Sequence, residues 1–163
     1  MGGRGSASGH NSVGALERKS ESWYLSLPYK EQVAVVAYTG YNYTNDPSRK
    51  EMTDDLESAI GKFSLNTELT TYRGVSAEEF SETLFSGGVK TTFKSTSTDL
   101  ARAEAFARNQ GGYIIEYRIK RGRHGAFLDG GVPGSNEREF LINRNQKMKV
   151  VSTKGKKMVV EIG

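Results

Sequence analysis

Residues 68–75 read Glu-Leu-Thr-Thr-Tyr-Arg-Gly-Val, and the texture of the chain changes there. Leu69, Thr71, Arg73 and Val75 alternate with Thr70, Tyr72 and Gly74, the two-residue period of a strand. Upstream the spacing is helical. Residues 16–27 start the fold with one helix. Pro28 opens a second, whose stripe is Val33, Val36 and Ala37 and which ends near Gly40. Asn42, Asn45, Asp46 and Pro47 mark residues 41–49 as a loop. Leu56, Ala59, Ile60 and Phe63 give a third helix over 52–63.

Downstream the chain is mostly strand. Ser76 and Glu79 fit a capping box that opens a short helix, stopped at Gly87-Gly88. Residues 90–97 are rich in Thr and Phe and read as a strand. A helix over 99–108 carries Leu100, Ala103, Phe106 and Ala107 on one side, and Gly111-Gly112 break it. Residues 113–119 are a strand, 122–135 a long Gly-rich loop, and 137–142, 149–152 and 158–162 further strands, the last two joined by a turn at Lys154-Gly155. Helices first and strands after argue for an α+β fold rather than an alternating parallel one. Residues 1–14 read as a flexible Gly/Ser-rich tail and 15–163 as a single domain.

Composition narrows the chemistry. The 163 residues suffice for one domain with a sizeable core. There is no cysteine, which removes thiolate nucleophiles, redox pairs and thiolate metal sites, and two histidines make a poor metal site, so no metal is expected. No apolar run approaches the roughly 18 residues of a membrane span, and the N-terminus has no apolar core of a secretory signal. The expected location is therefore the cytoplasm, or wherever a phage or secretion system delivers the chain. Mean hydropathy is −0.58. Residues 1–113 carry 12 basic and 14 acidic groups, residues 114–163 carry 11 and 5. A basic C-terminal third suits an anionic partner or an ordinary solvated surface. Nucleotide-binding loops of the GxGxxG and GxxxxGK[ST] kinds are absent.

Three short segments carry chemistry. Tyr72-Arg73-Gly74 offers a guanidinium fork beside a residue that permits close backbone approach. Ser95-Thr96-Ser97 offers three hydroxyls. Glu137-Arg138-Glu139, read as strand, puts two carboxylates on one face with Arg138 pointing away, an arrangement that suits acid/base or cation-stabilising work. Taken singly, each also fits an ordinary surface arginine, a Thr/Ser strand or a pair of solvated acids.

In this order and spacing the three segments resemble the mono-ADP-ribosyltransferases of the Arg–Ser–Glu class, the cholera-toxin-like group with bacterial and phage members, whose motif includes Glu-x-Glu. The resemblance covers residues 38–142. It implies an ADP-ribosyltransferase-like fold with N-terminal helices and a split β-sheet core. It also implies NAD as co-substrate, arginine of a target protein as acceptor and NAD glycohydrolase as a side activity. By the same resemblance Glu139 holds the ribose and stabilises the cation, Ser95 orients Glu139, and Arg73 binds phosphate or ribose. Glu137 orients and deprotonates the acceptor guanidinium. Tyr72, Gly74, Thr96 and Ser97 line the NAD pocket, with Phe106 stacking on nicotinamide and Arg108 meeting a phosphate. Gly125-Ala126-Phe127 looks like the start of the loop that recognises the target, with Phe127 and Glu137 as its contacts. Tyr38-Thr39-Gly40 followed by Tyr43 is similar to the end of the family's N-terminal helix. The rival readings are a basic nucleic-acid-binding module, which would lack any recognisable reading motif, and a catalytically silent phage structural domain.

Overall fold

Three of the five α-helices among the described residues start where a side chain satisfies a free N–H group. Ser12 accepts from the Ala15 amide (3.2 Å) and opens α1, Val13–Ser26. Pro28 precedes α2, Tyr29–Gly40. Asp46 caps a 3-10 turn at Pro47–Arg49 that runs into α3, Lys50–Ile60. Ser76 caps α4, Ala77–Phe85, and Asp99 caps α5, Leu100–Arg108. The computed structural model describes residues 11–86 and 90–163. The expected stop at Gly87-Gly88 and residues 1–10 of the expected tail lie outside the described residues. Asn11 is buried, and its amide donates to Thr67 Oγ1 (2.9 Å), so the fold is already under way there.

Seven strands follow among the described residues: β1 Leu69–Val75, β2 Lys94–Ser97, β3 Tyr113–Ile119, β4 Gly125–Phe127, β5 Glu139–Ile142, β6 Met148–Lys154 and β7 Lys157–Ile162. They form one mixed sheet in the order β4-β5-β2-β1-β3-β7-β6, in which only β3 and β7 are parallel. The halves β4-β5-β2 and β1-β3-β7-β6 meet through a single residue pair, Tyr72 opposite Ser97. That thin join is the expected split core. The strand expected over 90–97 is confined to Lys94–Ser97, and two further boundaries near the site differ from the pattern reading. The Gly-rich stretch contains β4, because Gly125–Phe127 pair with Phe140–Ile142. And β5 begins at Glu139, not Glu137, because Arg138 is left-handed (φ 51) and ends the extended run.

The N-terminal helices supply Leu16, Trp23, Leu56 and Ile60, and the turn after α3 supplies Phe63, to a core shared with Leu69, Ile115, Tyr117, Phe140 and Val160 of the sheet. Trp23 donates from its indole to the Ala59 carbonyl (2.8 Å) and meets Phe63 edge-on, which in turn meets Phe140. This aromatic chain ties α1 and α3 to β5, next to Glu139.

Helix α5 packs against β1 by close approach of backbones. A Cβ on Gly74 would stand 2.2 Å from the Ala103 carbonyl oxygen and 2.7 Å from the Ala107 nitrogen. Only glycine in the strand and alanines in the helix allow this seat. Leu100 and Phe106, grouped by spacing with Ala103 and Ala107, are therefore turned outward, and Phe106 is 67% exposed. Gly74→Ala should force α5 off β1, lower stability by about 1–3 kcal/mol and bring Tm down by several degrees in a thermal melt. Gly40→Ala, with nothing within 4 Å of the new Cβ, should stay within about 0.5 kcal/mol. Equal melting of the two variants would refute the packing role of Gly74.

Candidate active site

Beyond the Tyr72–Ser97 pair β1 and β2 part, and a cleft of about 450 Å³ opens between the sheet halves. Its walls come from β1, α4, β2, α5 and the Glu137–Glu139 segment. All three sequence motifs therefore reach one cavity, of a size that suits a small-molecule ligand.

Arg73 forms the floor of one wall. Its Nε and Nη2 donate to Glu79 Oε2 and Oε1 (2.8 and 3.1 Å), and Nη1 donates to the Ser95 carbonyl (2.9 Å). The planar fork is thus fixed on two sides, with two of its N–H groups unused among the described residues. Burial works against the charge on Arg73, but the hydrogen bonds and charge of Glu79 outweigh it and raise its pKa. Burial pushes the Glu79 carboxyl up, and Arg73, with Lys94 at 3.6 Å, more than reverses this and holds it low. The spacing of Ser76 and Glu79 predicts a capping box. Ser76 does accept from the Glu79 amide (3.1 Å), yet the Glu79 side chain serves Arg73.

Glu139 lines the same cleft as Arg73. Ser95 Oγ donates to its Oε2 (2.7 Å). Burial raises the Glu139 pKa most; the Ser95 hydrogen bond opposes it, Glu137 and Asp129 push further up, and Arg73 pulls down. The net shift is upward, as expected for a carboxyl desolvated beside like charges. Tyr38, at the end of α2, feels the same charges. Burial first, then Glu139, raise its hydroxyl pKa, while Arg73 lowers it. Glu137 is exposed and reaches the cleft from the loop side.

The other hydroxyls of β2 hold the frame. Thr96 is buried and donates to the Phe140 carbonyl (2.6 Å), which staples β2 to β5. Ser97 donates to the Glu137 carbonyl and accepts from the Asp99 amide (both 3.0 Å), so it joins the loop to the start of α5. Tyr72 and Gly74 also line the cleft.

Two expected contacts are corrected. Phe127 is fully buried and sits in β4 opposite Phe140, so it is a core residue and cannot touch a target protein. Arg108 is exposed on the last turn of α5 and is not among the residues that line the cleft. Arg102 and Phe106, four apart on one helix face, line it instead, with Gln110 in the turn after α5, and Arg108 falls on another face. Arg102 and Gln110 were missed because a polar helix face reads the same whether it meets solvent or a ligand. Among the described residues, no group of three or more His, Asp or Glu could hold a metal ion, and no helix is long and apolar enough to cross a membrane.

Known proteins share this frame. The chain is 32% identical over 153 residues to the NAD(+)–arginine ADP-ribosyltransferase EFV of Enterococcus faecalis, covering 83% of this chain and 31% of that protein. It thus spans about a third of the length of that relative. Among solved structures it matches Plx2a, an ADP-ribosyltransferase toxin of Paenibacillus larvae, at a TM-score of 0.69 and 17% identity over 93% of this chain and 95% of the other. It matches the ADP-ribosylating toxin BECa of C. perfringens, solved with NADH, at 0.69 and 17% over 93% and 47%. At such identities the two structures establish a shared fold. The match that reaches from sequence to family is the model for the ADP-ribosyltransferase exoenzyme domain, which covers residues 17–161, and with it this chain belongs to the ADP-ribosyltransferase exoenzyme family.

Proposed function

We propose that the chain transfers ADP-ribose from NAD to the guanidinium of an arginine on a target protein, with hydrolysis of NAD as the side reaction when no acceptor is bound. One observation carries the reading. A half-buried carboxylate, Glu139, is oriented by Ser95 and flanked by a second carboxylate, Glu137, in a cleft that also holds the Arg73 fork.

The chemistry fits the groups. Breaking the bond between nicotinamide and ribose sends the electron pair to nicotinamide and leaves positive charge on the ribose. A fixed carboxylate stabilises that charge more in the transition state than in the ground state. Glu139 has that place. The two unused N–H groups of Arg73 suit a phosphate or ribose oxygen, and the exposed ring of Phe106 offers nicotinamide a flat partner. A protonated guanidinium is a weak nucleophile. Glu137 can bind it through paired hydrogen bonds and accept its proton as nitrogen attacks the ribose carbon. Arginine as acceptor rests on Glu137 and agrees with the activity named for the Enterococcus relative.

The test uses labelled NAD with agmatine as a free guanidinium. Glu139→Gln should reduce both nicotinamide release and agmatine labelling by about 10²-fold or more. Its melting temperature should not fall. The raised pKa means that ionised Glu139 opposes folding, and the stability it lends when protonated is lost as pH rises through its folded pKa. Glu137→Gln should cut agmatine labelling by about 10²-fold or more and leave hydrolysis within about threefold. Parallel loss of both activities in folded Glu137→Gln would refute the division of labour. Wild type that neither hydrolyses NAD nor labels agmatine would refute the enzyme.

A pH profile gives an independent check. Only ionised Glu139 stabilises the cation, so hydrolysis should fall as pH drops, with a midpoint above the ordinary glutamate value of 4.5. Removing the Glu137 charge takes away one of the raising influences, so in Glu137→Gln the acid limb should move to lower pH. A limb that moves upward or stays put would contradict the electrostatic coupling of the pair.

A further inference from the structure

Glu137 lies outside β5, so the loop before it must be held if its carboxylate is to stay at the cleft. Residues 128–138 are more firmly fixed than their glycine content suggests. Leu128 and Val132 are buried, and the Val132 amide donates to the Leu128 carbonyl (3.0 Å). Gly130 and Gly131 press on α1: an added Cβ would stand 2.7 Å from the Glu17 Cβ and 2.3 Å from the Ser20 carbonyl oxygen. At the centre is Asp129, only 7% exposed. Its Oδ1 accepts from Ser135 Oγ (2.6 Å), and its Oδ2 accepts from the Arg138 amide (2.7 Å).

Arg138 is the pivot. Its φ of 51 is a conformation most L residues avoid, and its side chain is exposed, so nothing in its packing explains that backbone. Both of its peptide groups are caught instead. The amide is held by Asp129, and the carbonyl accepts from the Thr98 amide (3.1 Å). The preceding carbonyl, of Glu137, accepts from Ser97 Oγ (3.0 Å). The chain therefore turns at Arg138 and brings Glu137 to the cleft from the loop, much as a bulge redirects a side chain at a sheet edge. Glu139 does not need this turn. Its backbone is paired with Ser97 and its carboxylate with Ser95.

We propose that Asp129 is a positioning residue for the acceptor half of the reaction: its carboxylate clamps Arg138 in the left-handed turn that presents Glu137 to the incoming guanidinium. The inference rests on the proposed transfer to arginine. An asparagine at 129 keeps an oxygen for the Arg138 amide and an amide group for Ser135. At 138, glycine adopts positive φ freely and valine resists it, while both remove the same exposed side chain.

The experiment compares Asp129→Ala, Asp129→Asn, Arg138→Val and Arg138→Gly with wild type in three readouts. These are NAD hydrolysis without acceptor, agmatine labelling, and hydrogen exchange at the residue 138 amide by NMR. Asp129→Ala and Arg138→Val should lower the ratio of labelling to hydrolysis by about tenfold or more, with hydrolysis itself within about threefold. Asp129→Asn and Arg138→Gly should keep the ratio within about threefold. The Arg138 amide should exchange at least about tenfold faster in Asp129→Ala and remain protected in Asp129→Asn. Arg138→Val and Arg138→Gly behaving alike, or hydrolysis falling in step with labelling, would overturn the positioning role. If wild type labels no agmatine, the acceptor reading fails. Exchange then judges the clamp alone, and an Arg138 amide as slow in Asp129→Ala as in wild type overturns it.

Discussion

One row of backbone pairing organises the site: Tyr72 opposite Ser97, and Ser97 opposite Glu139. It sets three distant parts of the chain side by side. Because side chains alternate along a strand, a slip of one residue would turn Ser95 away from Glu139. The register is held by groups that do no chemistry. Thr96 bonds to the Phe140 carbonyl, and Phe140 is buried against Phe63, which packs on Trp23. The helical N-terminal third thus has a direct bearing on the site, since it supplies the aromatic wall that fixes β5.

The same row explains the cleft. β1 and β2 share one residue pair, so their backbones diverge next to it. Helix α5 sits on β1 at Gly74 and presents Arg102 and Phe106 to the gap, and the turn after it adds Gln110. The charges in the gap are arranged to remain poised. Arg73 is held by the Glu79 carboxylate on one edge and the Ser95 carbonyl on another, which fixes its fork without using all its donors. Glu139 is kept above the usual carboxylate range, because the Ser95 hydrogen bond and Arg73 together do not offset burial and two like charges.

Much of this was legible in the sequence because it follows from periodicity and from short motifs. The shift from helical to alternating spacing at residue 68 gives the α+β order, and the three segments that carry chemistry do share a cavity. What escaped depends on distant backbone. The apolar spacing of Leu100, Ala103, Phe106 and Ala107 suggests one buried stripe, but Gly74 draws α5 so close that only the alanines fit beneath it. Phe127 looked like a loop residue because its partner strand lies beyond the intervening glycines. Glu137 looked like strand because nothing in the letters shows that Asp129 will capture the amide of Arg138. Glu79 matched a capping pattern whose side-chain half is diverted to an arginine on another element.

On the proposed transfer, the two glutamates two residues apart do not share a role. Glu139 is on a paired strand, half-buried and hydrogen-bonded, so it can meet a developing charge without reorganising. Such rigidity would suit an acceptor poorly, because a guanidinium on a protein surface must enter, lose a proton and leave. Glu137 is exposed, on a loop that is fixed at its base and open at its tip. A carboxylate there can exchange its partner while its backbone stays in place. A transferase needs its first step insulated from whatever acceptor arrives and its second step open to that acceptor. The left-handed turn at Arg138 is where the chain passes from the one environment to the other.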